Sequence, residues 1–254
     1  MKIVGIMAIH KRPGITRETL KMLKERQTLP FHQIIVMGES PEEEACATET
    51  GCDFLKVQND PLGRKYQAEV FWSMTYNPDA LVVLGSDTWL SPGWLETGAR
   101  EIEKGAELVG KADWYSLKAY AGEKVEIIHR GYPEGHRRDP VGGGRMISRY
   151  VLDRMGWDLF PIIYNSNLDY SSFARMEEHD VRISILPPSD PVKVMGVKST
   201  WPTLNKFDNL KVATRLKDLG DVPDPPGWLK KNFPGGTEAL RRVVDNLRLE
   251  GNNE

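Results

Sequence analysis

Charged side chains gather at the ends of four apolar runs in the first part of the chain. His10-Lys11-Arg12-Pro13 follows residues 2–9, and Gly38-Glu39-Ser40 follows the run QIIVM at 33–37. Asn59-Asp60-Pro61-Leu62-Gly63-Arg64-Lys65 follows 53–57, and Gly85-Ser86-Asp87 follows the run ALVVL at 80–84. The bases Arg12, Arg64 and Lys65 and the acids Glu39 and Asp87 would converge on one edge of a sheet. That mixture suits a phosphate ligand bridged by a divalent metal, which takes oxygen ligands. Asp87 is the sharpest signal. It is a lone acid directly after a continuous apolar run, ahead of Trp89-Leu90-Ser91-Pro92-Gly93-Trp94-Leu95-Glu96. Plainer readings stand beside these: Lys11 and Arg12 as solvated loop charges, Glu39 as a charge favoured at a helix N-terminus, Asp87 as a turn aspartate. Gly63-Arg64-Lys65 lacks the P-loop signature.

A second cluster is the loop Arg137-Arg138-Asp139-Pro140-Val141-Gly142-Gly143-Gly144-Arg145. Its glycines allow close backbone approach to a ligand, or mobility, and its arginines suit phosphates of a donor or of a nucleic-acid acceptor. A mobile loop with solvated charges is the bland alternative. Further on, Lys198-Ser199-Thr200-Trp201-Pro202 offers Trp201 as an acceptor shelf or as an aromatic packing the tail on the core. Lys230-Lys231 and Arg241-Arg242 read as solvated faces, or as phosphate contacts if the acceptor is duplex DNA whose target base is flipped out.

The elements that must position these groups follow from pattern. Four strand–helix repeats are expected: strands at 2–9, 33–37, 53–57 and 80–84, and helices from Thr16 to about 26, from the capping box Ser40-Pro41-Glu42-Glu43 to Gly51, over 63–76, and from Ser91-Pro92 to about 103. That alternation predicts an α/β fold with a mostly parallel sheet between helices, whose ligands bind beyond the C-terminal strand ends. A hairpin is expected over 114–120 and 124–128, helices from Ser148 to about 155 and from about 165–169 to 179, and a last strand at 181–186. The Pro- and Gly-punctuated stretch after 187 closes with an amphipathic helix over 238–249.

The 254 residues suffice for one large core, and 40% apolar with 28% charged residues is ordinary for a soluble chain. A net charge of -2 gives no global basic field, so a nucleic-acid partner would need a local patch. Cys46 and Cys52 make neither a disulfide framework nor a zinc site, and read as reduced thiols. No apolar run reaches membrane-spanning length and no signal-type cleavage site follows the first strand, so a cytoplasmic protein is expected (host cytoplasm if viral).

Four stretches together resemble the family 2 glycosyltransferases. MKIVGIMAIHKRP is similar to the family's first strand, ALVVLGSDTWLSPGWLE to its Asp-bearing strand end and following helix, GGGRMISRYVLDRMGW to the Gly-rich segment before the acceptor site, and NLDYSSFARMEEHDVRISIL to its acidic helix start. The likeness runs over about 1–190 and is closer still to small phage-type glycosyltransferases, some linked to hypermodified DNA bases. It implies a GT-A (Rossmann-like) domain over 1–190, its nucleotide half at about 1–110 and its acceptor half at about 111–190, with 191–254 as an extension packed on it. It also implies a metal-dependent, inverting transfer from a nucleotide sugar, commonly a UDP-sugar, with Mn²⁺ or Mg²⁺ on Asp87.

Residue by residue, Glu39 falls where the family contacts the nucleobase, and His10 to Arg12 where it borders base and ribose. Gly63, Arg64, Lys65 and Ser86 fall beside the nucleotide, and Asp169 on the catalytic base. Arg137, Arg138, Gly143, Gly144, Arg145 and Trp201 would face the acceptor. A hydroxymethylated pyrimidine in DNA is the leading acceptor, with polysaccharide, lipid carrier or protein as alternatives. The sequence departs from the family where Gly85-Ser86 precede Asp87 and where Asn167-Leu168-Asp169 carries one acid, so no second metal ligand is identified. A nucleotidyltransferase would want more glycines after the first strand than His10-Lys11-Arg12-Pro13-Gly14 offers. A non-catalytic sugar-nucleotide or nucleic-acid binding module agrees with the thin acid count. The sequence leaves the oligomeric state open.

Overall fold

The computed structural model describes residues 1–119, 125–132, 139–199 and 217–251. The chain begins as read, with β1 (Ile3–Ala8), α1 (Pro13–Glu25), β2 (Gln33–Gly38), α2 (Pro41–Glu49), β3 (Asp53–Lys56), α3 (Leu62–Ser73) with a 3₁₀ turn after it, and β4 (Ala80–Gly85). It continues through β5 (Thr88–Leu90), α4 (Trp94–Glu103), β6 (Leu108–Lys111), β7 (Asp113–Ala119), β8 (Val125–Gly131), β9 (Met146–Ser148), α5 (Arg149–Arg154), α6 (Leu168–Glu177) and β10 (Ile183–Leu186). Two strands the sequence reading did not expect follow, β11 (Val194–Ser199) and β12 (Lys217–Asp221), then helices Pro225–Asn232 and Gly236–Gly251.

Helix starts follow local chemistry. Ser40 and Glu43 form the expected capping box: the Glu43 amide donates to Ser40 Oγ at 3.3 Å, and the Ser40 amide donates to Glu43 Oε2 at 3.2 Å. Thr16 is not the cap of α1. The helix opens at Pro13, and Thr16 sits inside it with its hydroxyl donating to the Arg12 carbonyl at 2.8 Å. Proline suits that first position because its missing N–H would have no helical partner anyway.

Among the described residues the strands form two sheets. The larger has the order β10-β6-β9-β4-β1-β2-β3, parallel except where β9 runs antiparallel to β4 and β6. Side chains alternate across it: Ile3 and Met7 of β1, Ile34 and Val36 of β2, and Val82 and Leu84 of β4 face one core, while Val4, Ile6, Ile35, Leu81 and Val83 face the other. The smaller sheet has the order β12-β8-β7-β11-β5. Its Trp89, Leu117 and Val197 share a third core with Leu229 and Val243 of the last two helices and with Phe233 between them. The boundary expected at residue 190 therefore passes just ahead of a strand that lies inside this sheet, between β7 and β5.

Cys46 and Cys52 are buried and unbridged. Among the described residues no helix is long and apolar enough to cross a membrane.

One buried acid ties α3 to the central sheet. Glu69 is fully buried, and its Oε1 accepts from the Met7 and Met37 amides at 3.0 and 3.1 Å. Burial raises its carboxyl well above 4.5, against the pull of Lys65 and the two amides. A folded-state value above the unfolded one means that stability is fully present below the unfolded value and falls as pH rises toward the folded one. Glu69→Gln keeps an acceptor and cannot ionise. Urea unfolding should therefore show the wild type losing stability against Glu69→Gln by up to about 1.4 kcal/mol per pH unit above 4.5. Parallel pH profiles would refute the assignment.

Candidate functional site

In the run β4-β1-β2-β3 the chain leaves β1 toward β2 on one side, while β4 lies on the other. The crevice between the C-terminal ends of β1 and β4 is thus the switch point, where open α/β sheets bind ligands. Arg12, the last residue before α1, spans it: Nη2 donates to Ser86 Oγ at 2.8 Å and Nη1 to Asp87 Oδ2 at 3.1 Å. Its own segment is fixed from below. The Thr16 amide donates to the Arg12 carbonyl, the Lys11 amide to Glu43 Oε1 at 2.9 Å, and Lys65 Nζ to the Ile9 carbonyl at 2.6 Å.

Asp87 stands in the turn between β4 and β5 and is 3% exposed. A third residue reaches it from far along the chain. Lys198 of β11 donates from Nζ to the same Oδ2 at 2.8 Å, and the Val197 amide donates to the Asp87 carbonyl at 2.9 Å. Burial alone would raise the Asp87 carboxyl; the charges of Lys198 and Arg12 overcome it and hold it at about 2.

Asp169 is the second residue of α6 and is exposed. Its carboxylate lies directly on Gly142, where any added Cβ would collide with it. A Cβ on Gly143 would meet Trp114 at 2.6 Å and Thr88 Oγ1 at 3.2 Å. Adjacent residues lie about 3.8 Å apart between Cα atoms. The glycine loop therefore brings the Asp169 carboxylate and the turn holding Asp87 onto one short stretch of backbone. Tyr66 lies within the influence of both carboxylates: burial raises its hydroxyl first, and Glu69, Asp169 and Asp87 add to it.

The other sequence-predicted residues divide. His10 and Glu39 are exposed at the ends of β1 and β2, where Glu39 Oε2 accepts from the Asn59 amide at 3.3 Å. Burial and the neighbouring Lys11 lower the His10 imidazole. Arg64 is exposed on α3, one residue after Gly63, whose amide donates to the Tyr164 carbonyl at 2.8 Å. Lys65, expected beside the nucleotide, is fully buried and spends its ammonium on Ile9 and Asn59. Arg145, expected toward the acceptor, is 2% exposed. It donates to the carbonyls of Val141, Pro140 and Asp169 at 3.2, 2.7 and 2.6 Å, so it positions the loop and α6 instead. Gly144 is buried at φ +80° with its amide on the Val83 carbonyl. Arg137, Arg138 and Trp201 lie outside the described residues.

Two features escaped the sequence reading. Lys198 reads from the sequence only as the start of an unusual tail, because nothing there announces the strand that carries it. Exposed Ile163, Tyr164 and Tyr170 line an open cleft of about 700 Å³ with Asn167, beside Asp169. The apolar run Pro161-Ile162-Ile163-Tyr164 ahead of α6 was the available signal.

The residues around Asp87 fit a divalent ion poorly. Among the described residues no group of three His, Cys, Asp or Glu side chains could hold a metal. The Asp87 Oδ2 already carries two cations. Two unit charges of one sign at 4 Å repel by about 4 kcal/mol at an effective dielectric of 20, and a divalent ion doubles that for each neighbour.

No protein-family model matches the chain, and a search of curated proteins found no match. Among solved structures, it is similar to S. aureus TarS residues 1–349 at 15% identity and TM-score 0.55, covering 78% of this chain and 60% of that one. The same fragment in complex with UDP gives 15% identity and TM-score 0.56, with 79% and 61% coverage. A longer TarS structure gives 13% identity and TM-score 0.58, covering 79% of this chain and 37% of that one. The chain thus spans about 60% of the TarS fragments it resembles, and what it shares with them is the fold: a largely parallel α/β sheet flanked by helices, of the GT-A type.

Proposed function

We propose that the protein transfers a sugar from a nucleotide-sugar donor, with UDP as the leading nucleotide, to an acceptor hydroxyl. The observation that carries this reading is the Arg12 bridge across the β1–β4 switch point to Ser86 and Asp87, within one glycine loop of an exposed carboxylate, Asp169. A TarS structure of the same fold was solved in complex with UDP, which supports that nucleotide.

In this reading the donor lies over the C-terminal ends of β1, β2 and β4. Glu39 and His10 border the base, and Arg12 with Lys198 face the diphosphate, where negative charge grows as the sugar departs. Asp169 takes the proton of the acceptor hydroxyl, a step typically worth about 10²–10⁴ in rate. A single base acting on the attacking hydroxyl fits one displacement that inverts the anomeric centre. The Tyr164 and Tyr170 rings offer the acceptor an apolar surface to stack on.

Calorimetry with UDP, GDP, ADP and TDP should find one nucleotide that binds the wild type, and Arg12→Ala should bind it at least about tenfold more weakly, since a lost charge-assisted bond costs about 1.5–3 kcal/mol. Binding of none of the four would sink the donor site. Asp169→Asn should lower transfer or donor hydrolysis by about 10²–10⁴ while nucleotide affinity stays within about twofold. An Asp169→Asn enzyme with full activity would remove Asp169 from the chemistry.

A further inference from the structure

Lys198 is a cation that β11 delivers to the Asp87 carboxylate from among buried apolar neighbours. Its neighbours in β11, Val194, Met195 and Val197, are fully buried. Its side chain is 8% exposed and ends with the ammonium on Asp87, 2.8 Å from Oδ2. Its Nζ stands 5.7 Å over the Trp114 ring, a further attraction for a cation. The place is prepared for it: a Cβ on Gly196 would strike the Trp114 ring and sit 3.1 Å from Lys198 Cε. Strand pairing fixes its height, because Gly196 pairs with Thr88 and the Val197 amide holds the Asp87 carbonyl.

The charge count is lopsided. One carboxylate, Asp87, faces two cations on the same oxygen, Lys198 at 2.8 Å and Arg12 at 3.1 Å. A purely internal ion pair needs one. Among the described residues the ammonium has one hydrogen-bond partner, Asp87, and an ammonium has three donors to give. The arrangement holds a surplus positive charge with unspent donors at the switch point, where an anion would enter.

We propose that Lys198, seated on Asp87 beside Arg12, supplies the charge that a divalent ion would otherwise bring to the diphosphate of the donor, so that nucleotide binding at this site needs no metal. This rests on the donor reading above. Asp87 is then the anchor that orients the ammonium, rather than a metal ligand. Lysine is suited to the task as a compact point charge that meets phosphate without a fixed geometry.

The test is calorimetry on the full chain with UDP in EDTA and in Mn²⁺, and with inorganic pyrophosphate in EDTA. The wild type should bind UDP within about threefold of the same affinity in both buffers. Lys198→Gln should weaken UDP and pyrophosphate at least about tenfold, the loss of one charge-assisted contact. Lys198→Arg, which keeps the charge, should recover most of it. UDP affinity at least tenfold higher in Mn²⁺ than in EDTA overturns the proposal, and so does wild-type affinity in Lys198→Gln. The wild-type comparison decides by itself if a variant fails to fold. Pyrophosphate bound in EDTA and lost in Lys198→Gln, with no nucleotide bound, upholds the anion site and removes the nucleotide reading. Binding of neither ligand removes both.

Discussion

A buried carboxylate must find its counter-charges or give up its own charge, and around Asp87 that requirement joins three distant parts of the chain. Arg12 is 75 residues away and Lys198 is 111. Neither cation reaches Asp87 unless β1 lies beside β4 and β11 lies beside β5. The pairings of both sheets and the electrostatics of the crevice are therefore one problem, solved together. The interior is where such a contact is strong, because few waters compete for it, and where a missing partner is most costly.

Positioning around that centre relies on titratable side chains buried away from solvent. Glu69 fastens α3 to the amides of β1 and β2, Lys65 fastens it to the Ile9 carbonyl just after β1, and Glu43 holds the Lys11 amide two residues on. Arg145 does the same on the other side of the crevice, drawing three carbonyls of two segments onto one planar guanidinium. The segment from His10 to Arg12 and the glycine loop carry the site, yet both are loops, and a loop holds a geometry only when its backbone groups are spent elsewhere.

The sheet and the strand ends were legible because short apolar runs, a capping box and Pro-opened helices all act locally. Arg12 and Asp87 stand out for the same reason: each lies a few residues past the end of a strand whose burial shows in its composition. Lys65 and Arg145 are buried on backbone carbonyls, which their residue types do not announce, because a sequence displays charge and conceals burial; a lysine on a helix start and an arginine in a glycine loop read alike whether they point at ligand or at backbone. Lys198 was missed because β11 follows a Pro-rich stretch and is six residues long, a pattern that the reading took for a tail. Its partner strands are far away in the chain, so only pairing reveals it. The glycine loop reads as a place of close approach to a ligand; that Asp169 packs on Gly142 depends on the placement of α6, which the sequence does not show.

The late arrival of β11 has a consequence for biosynthesis. The first strands and helices can pair as they leave the ribosome, since each lies next to a neighbour close in sequence. Until residue 198 has followed, Asp87 has only Arg12 to balance it, and one wall of the crevice is missing. A nascent chain that has already built its central sheet would still lack the Lys198–Asp87 contact, and the crevice would be completed in one late event, when the second sheet closes.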